Sequence, residues 1–222
     1  MRTLAFDTST KFLTIAFLEE EKVKAEFHED VGIGHSELLM PQIKEMLGGL
    51  GWEIEDIALV CVGLGPGSFT GLRIAAATVK GLAAAMEKKV VGVPTMDAIV
   101  QNFPKEGKHL APLLDARKGK VYSCIYDREG GETKRATDYM LVTVDELLSG
   151  LKEEVYFYGD GVEKYEEKLK DHPLAKYSKD VDWYPKAAQI GKIGIKRSLY
   201  ISDNPETLEP LYLHSKECNI TQ

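Results

Sequence analysis

The stretch that most constrains this chain is Val62-Gly63-Leu64-Gly65-Pro66-Gly67-Ser68-Phe69-Thr70-Gly71-Leu72-Arg73. It follows a short apolar run, Ile57 to Val62, whose β-branched residues suit a buried strand. It precedes an alanine-rich segment that reads as a helix. The loop therefore joins strand to helix. Glycines 63, 65 and 67 open backbone angles closed to other residues, Pro66 stiffens the turn, and Ser68 or Thr70 can cap the helix. Amides at a helix start attract anions, but the known phosphate loops fit poorly. A P-loop requires Lys-Ser or Lys-Thr after its last glycine, and here Leu72 and Arg73 follow Gly71. A dinucleotide turn requires Gly-x-Gly-x-x-Gly, and Ser68 breaks that spacing. Two readings stay open: an anion cradle, or a tight turn that brings strand and helix close together.

From Ile74 to Ala85 the helix carries Ala75, Ala76, Ala77, Gly81, Ala83, Ala84 and Ala85. Small residues on several faces let a neighbouring backbone approach from more than one side. Each buries little surface, so any contact has to be close and extended to contribute at about 25 cal/mol per Å². The helix is either enclosed in its own domain or turned toward a partner.

Composition sets outer limits. The 222 residues, 44% of them hydrophobic, can bury one substantial core or two small ones. A net charge of −7 gives no general attraction to nucleic acid or anionic membrane, although a local basic patch is compatible with it. Cys61, Cys124 and Cys218 are odd in number and lack Cys-x-x-Cys spacing. That usage fits a reducing cytoplasm and argues against a disulfide framework or a zinc knuckle. No apolar run reaches transmembrane length, and the amino terminus enters a strand rather than a signal peptide. The expectation is a soluble, cytoplasmic protein with no membrane partner.

Taken in order, the chain repeats itself. Thr3–Thr8, Phe12–Leu18 and Lys22–His28 read as three antiparallel strands, the third with one wet face as at a sheet edge. An amphipathic helix follows His35-Ser36-Glu37, with Leu38, Leu39, Ile43, Met46, Leu47 and Leu50 at helical spacing and glycines 48, 49 and 51 ending it. After the glycine loop and its helix come a strand at Val90–Val93 and a helix from Thr95 to Phe103. Pro104 to Gly107 reads as a linker between a domain 1–104 and a smaller domain 105–222. Beyond it, Leu110–Leu114, Val121–Tyr126 and Glu132–Val142 again read as three strands. A helix at Asp145–Leu151, a strand at Val155–Tyr158, a charged helix at Glu163–Lys170 and a last helix from Pro185 to Tyr200 complete the chain. Asp7 and Asp115 fall at matching points, each closing a first strand before a polar turn. This duplicated α/β order is that of the actin-like, ribonuclease H-like architecture, in which two related lobes flank a cleft and each offers an acidic hairpin to a nucleotide. Topology of this kind does not by itself give function.

The chemistry-bearing residues are sparse. The histidines at 28, 35, 109, 172 and 214 show no metal-ligand spacing, and His35-x-Glu37 lacks the Pro-Cys-x-x-Cys of a zinc deaminase. Ser68 is not in a Gly-x-Ser-x-Gly elbow. Neither a catalytic residue nor a metal site is expected. Asp7, Ser9, Asp115 and Asp160 form the candidate nucleotide site, since strand-end carboxylates can hold Mg²⁺ through water. Ser9 and Arg117 stand where phosphate-binding hairpins place glycine, so the site reads as weakened.

Five segments together resemble the bacterial TsaB (YeaZ) family: Phe6-Asp7-Thr8-Ser9-Thr10, His35-Ser36-Glu37-Leu38, the glycine loop through Ile74, Pro94-Thr95, and Asp115-Ala116-Arg117 with Val121-Tyr122. The resemblance covers most of the chain and thins after Asp127. Pro210-Leu211-Tyr212-Leu213-His214 is similar to the family's closing Pro-x-Tyr-Leu-Arg, with His in place of Arg. The resemblance implies a non-catalytic subunit of the machinery that makes N6-threonylcarbamoyladenosine at position 37 of tRNA. Such a subunit pairs with the catalytic paralogue TsaD, is joined by the ATPase TsaE, homodimerises when alone, and meets tRNA only through the complex. ATP or ADP would belong to the complex. The family contact uses the first two helices, here represented by Leu39, Ile43, Met46, Leu72, Ala75, Ala76 and Val79. The alternative is a kinase or transferase of the same superfold using Asp7 and Asp115 on Mg-ATP.

Overall fold

A computed structural model describes residues 1–86, 88–103, 107–179 and 183–213. The linker expected at 104–107 lies outside these residues except for Gly107, as do Cys218 and the His214 that closes the family-like ending. Two compact units emerge. Met1–Ala98 and Pro185–Leu211 form the first, and Ile99–Tyr184 forms the body of the second.

The first unit is built on strands β1 (Arg2–Asp7), β2 (Phe12–Glu19), β3 (Lys22–Asp30), β4 (Leu59–Gly63) and β5 (Lys89–Val93), in the order β3-β2-β1-β4-β5. β1 is antiparallel to β2 and parallel to β4, and β4 is parallel to β5. Alternation along the strands sorts side chains between two faces. Leu4, Phe6, Leu13, Ile15, Phe17, Val60 and Val62 point to one face, where helices α1 (His35–Leu50) and α2 (Phe69–Met86) add Leu39, Ile43, Leu47, Ala75, Val79 and Leu82. Ala5, Ala16, Leu18, Leu59, Cys61, Val91 and Val93 point to the other. α1 runs through Gly48 and Gly49 and stops only at Gly51, whose φ of 65° turns the chain left-handed. Two of the three glycines expected to end the helix are therefore inside it.

The second unit repeats the plan. After a short helix α3 (Thr95–Ile99), which lies in the first unit up to Ala98, and a single 3₁₀ turn come β6 (His109–Asp115), β7 (Lys120–Ser123), β8 (Tyr126–Glu129), β9 (Glu132–Arg135) and β10 (Met140–Thr143). Then come α4 (Val144–Ser149), β11 (Val155–Tyr158), α5 (Asp160–Lys164), α6 (Glu166–Lys170) and β12 (Ala175–Tyr177). The main path is β10-β7-β6-β11-β12, antiparallel over its first three strands and parallel over the rest, which matches the first sheet strand for strand. The duplicated actin-like arrangement is thus present. The expected strands Val121–Tyr126 and Glu132–Val142 are each broken in two. At the break, Thr137 Oγ1 accepts from Ile125 N at 3.0 Å and Ile125 O accepts from Ala136 N at 2.8 Å, so β8 and β9 form a side hairpin and β10 takes the third place. The charged helix expected at 163–170 is likewise two short helices meeting at Tyr165.

The last helix, α7 (Ala187–Ser198), differs most from expectation. Segment 185–211 belongs to the first unit rather than to a domain 105–222. Ala187 N donates to Thr14 Oγ1 at 2.9 Å, and Ala187, Ala188, Ile190 and Ile195 cover the second face of the first sheet. Small residues on both sides allow this. A Cβ on Gly194 would overlap Cys61 Sγ, and one on Gly191 would press on Leu18 and Ala5. Burial of the Cys61 thiol in this contact raises its pKa far above the ordinary value. No helix among the described residues is long and apolar enough to cross a membrane.

Two glycine substitutions separate packing from propensity. Gly194→Ala has to push α7 off β4 and is expected to cost about 1–3 kcal/mol in chemical denaturation. Gly81→Ala meets open space within an exposed helix and is expected to stabilise by about 0.5–1 kcal/mol.

Candidate functional site

The β1–β2 turn is the foundation of the site in the first unit. Asp7 closes β1, is wholly buried, and both its carboxylate oxygens are engaged. Oδ1 accepts from Ser9 N at 2.6 Å and Oδ2 accepts from Thr95 Oγ1 at 2.6 Å. Burial raises its pKa, against the lowering effect of the Ser9 and Thr95 hydrogen bonds and of nearby His35. Thr95, first residue of α3, binds the glycine loop twice: its Oγ1 accepts from Gly65 N at 2.9 Å and its own amide donates to Gly65 O at 2.8 Å. His35, at the start of α1, is 5% exposed with Nε2 3.3 Å from Phe12 O. It is a buried anchor under the same turn rather than a surface group.

The glycine loop lies directly on this turn. Ser68 N donates to Ser9 O at 2.7 Å, and Thr8 Oγ1 donates to Gly71 O at 2.7 Å. A Cβ on Gly63 would collide with the Asp7 carboxylate, and one on Gly71 with Thr8 O. Ser68 caps α2, its Oγ accepting from Gly71 N at 3.3 Å and its carbonyl from Leu72 N at 2.8 Å. The amides of Gly65, Ser68, Gly71 and Leu72 are thus spent inside the protein. Close approach of strand, hairpin and helix is the reading of the loop that the geometry bears out.

In the second unit Asp115 and Asp160 come together. Asp160 Oδ1 accepts from Asp115 N at 2.8 Å, and Asp115 Oδ1 accepts from Arg117 N at 3.0 Å. Lys164 Nζ reaches both Asp115 oxygens, at 2.9 and 3.0 Å. Burial, with Asp115 as a like-charged neighbour, raises the pKa of Asp160. The hydrogen bond to Asp115 raises that of exposed Lys164. Arg117 and Lys118 adopt φ of 62° and 50°, so this turn takes the left-handed backbone that glycine would accept more easily. Asp7 is enclosed beneath Gly63 and Thr95, whereas Asp115 is partly exposed and paired with Lys164.

The residues expected at a partner contact divide by burial. Leu39, Ile43, Leu72, Ala75 and Val79 are at most 2% exposed and belong to the interior of the first unit, while Met46 and Ala76 are half-buried. Helical periodicity locates such an apolar stripe, but core contact has first claim on it. The outward positions are others. On α1, Leu38 and Met40 are 42% and 44% exposed, and on α2 Phe69 is 48% exposed with Arg73 stacked on its ring at 4.0 Å. Ala77, Gly81, Ala84 and Ala85 are exposed on α2, and a Cβ at Gly48, Gly49 or Gly81 would meet nothing. Leu38 belongs to the apolar stripe expected of α1 and nonetheless faces outward, whereas Met40 lies outside that stripe.

Comparison with known proteins agrees with this architecture. The family model "TsaD: tRNA N6-adenosine threonylcarbamoyltransferase" matches residues 22–217. The chain is similar to the tRNA threonylcarbamoyladenosine biosynthesis protein TsaB of Bacillus subtilis, at 30% identity over 77% of this chain and 76% of that protein. It is also similar to the TsaB of Escherichia coli, at 35% identity over 58% of this chain and 56% of that protein, little more than half its length. Among solved structures, YeaZ from Pseudomonas aeruginosa superposes with a TM-score of 0.82 at 27% identity, covering 96% of this chain and 99% of that one. The ethanolamine utilization protein EutJ from Carboxydothermus hydrogenoformans, with a TM-score of 0.53 and 12% identity over 87% of this chain and 90% of that one, shares the fold alone. Sequence match and superposition converge, and the chain belongs to the TsaB (YeaZ) family.

Proposed function

We propose that this protein is a non-catalytic, cytoplasmic subunit of the complex that forms N6-threonylcarbamoyladenosine at position 37 of tRNA, and that it pairs with a TsaD-type catalytic paralogue. The observation that carries this reading is the internal use of the acids. Asp7 is enclosed and bonded to Ser9 and Thr95, and Asp115 is paired with Lys164, so each hairpin acid already has partners within the protein. The same commitments argue against the kinase alternative. Any ATP or ADP then acts at the complex, through a TsaE-type ATPase.

The outer faces of α1 and α2 support a docking role. Leu38, Met40 and Phe69 are apolar and exposed, and the small residues around Gly81 let another backbone come near. Glycine in an exposed helix interior costs about 1 kcal/mol relative to alanine. Retaining it where a side chain would fit is consistent with an approaching partner, either the paralogue or, in isolation, a second copy of this chain.

Three measurements test the reading. Adding the purified chain to its catalytic paralogue, with threonylcarbamoyl donor and tRNA, is expected to raise modified adenosine at least several-fold; equal yield with and without it would defeat the proposal. Gly81→Arg is expected to weaken co-elution with the paralogue at least tenfold while leaving the melting temperature within a few degrees, whereas association at full strength would show that α2 is not the docking face. For Asp7, burial makes the folded chain hold its proton to higher pH than the unfolded chain. Its contribution to stability is therefore greatest below about pH 4 and declines as pH rises through the raised folded pKa. Asp7→Asn is expected to flatten that decline in denaturation curves taken from pH 4 to 8. A kinase carboxylate would instead reveal itself as ATP affinity lost in the variant, measured by calorimetry.

A further inference from the structure

The exposed side of α7 is cationic in a protein whose net charge is −7. From Lys186 to Ile201 the sequence contains no Asp or Glu; Lys196 is exposed opposite the face buried by Ala187, Gly191 and Gly194, and Lys192 and Arg197, both half-buried, flank it on either side. Lys192, Lys196 and Tyr200 follow one another at four-residue steps, which lines them up along the helix and the turn that continues it. That turn is held by Tyr200 N and Ile201 N, both donating to Arg197 O at 3.0 Å. Tyr200 is 87% exposed and Leu199 74%.

Local chemistry does not account for this stripe. Among the described residues, Lys192, Lys196 and Arg197 make no ion pair, and no acid stands beside them along the helix. The first acid after the helix, Asp203, is occupied: its Oδ2 accepts from Gly92 N at 2.7 Å. Cations in the last turn of a helix offset its dipole, which explains Lys196 and Arg197 but not Lys192, nearly two turns from the end. A row of cations ending in an exposed aromatic ring suits a nucleic acid: the ammonium and guanidinium groups neutralise phosphates, and the ring supplies a face for a base or ribose.

We infer that the outer face of α7, through Lys192, Lys196, Arg197 and Tyr200, contacts the phosphate backbone of tRNA. The inference rests on the proposed role in tRNA modification and adds to it a surface of this chain's own, on the opposite side of the first sheet from α1 and α2. That placement leaves the docking helices and the RNA contact free to be used together.

The test is a Lys192→Gln, Lys196→Gln, Arg197→Gln variant, with Lys134→Gln, Lys152→Gln, Lys170→Gln as a control of equal net charge. In complex with the paralogue, the α7 variant is expected to bind tRNA about tenfold more weakly at 100 mM salt, and its log–log salt slope is expected to be shallower by about two. Co-elution with the paralogue and melting temperature are expected to stay unchanged, and the control to bind tRNA as the parent does. Unchanged tRNA affinity in a complex that assembles would overturn the inference and leave the docking role standing. So would equal weakening by the control. If no complex assembles, it is the docking role that fails; gel retardation of tRNA by the isolated chain at 20 mM salt then decides the α7 surface, supported if the variant alone loses it and overturned if parent and variant behave alike.

Discussion

The first unit depends on a buried carboxylate that holds three separate pieces of chain. Asp7 binds the turn that follows it through Ser9 N and the start of α3 through Thr95, and Thr95 in turn grips Gly65 of the glycine loop. A buried charge is costly unless hydrogen bonds surround it, and once they do, removing any partner leaves an unsatisfied group. The strand ends β1, β4 and β5 and the entry to α2 are thereby fixed relative to one another. The glycines at 63 and 71 follow from that closeness, because any side chain there would strike Asp7 or Thr8.

The acid and the glycine loop are tied together through Thr95, which donates to Asp7 Oδ2 and accepts from Gly65 N. The second unit reaches a similar end by other means, with Lys164 standing against Asp115 as a resident cation. What remains exposed is surface: an apolar and small-residue side on α1 and α2, and a cationic side on α7.

The duplication was readable because strand periodicity and the spacing of Asp7 and Asp115 survive in both halves. The second half was read less accurately because its strands are short. Backbone pairing at Ile125 and Thr137, absent from any local pattern, decides where Val121–Tyr126 and Glu132–Val142 break. The return of α7 to the first sheet is not legible in the sequence for a related reason. Its signal, Ala187, Ala188, Gly191 and Gly194 on one face, has meaning only against the small Ala5, Ala16 and Cys61 that receive it.

By itself the sequence determined the α/β class, the strand–glycine loop–helix junction, the matching acidic hairpins and the family resemblance, since each is a pattern of residues near one another in the chain. Tertiary structure alone decided which way those residues face. It turned Leu39, Ile43, Leu72, Ala75 and Val79 inward, left Leu38, Met40 and Phe69 outside, and closed Asp7 beneath Thr95, a residue 88 positions away. The physical reason is competition for burial: a helix or a carboxylate satisfies its own core first, and what the core does not take remains for a partner.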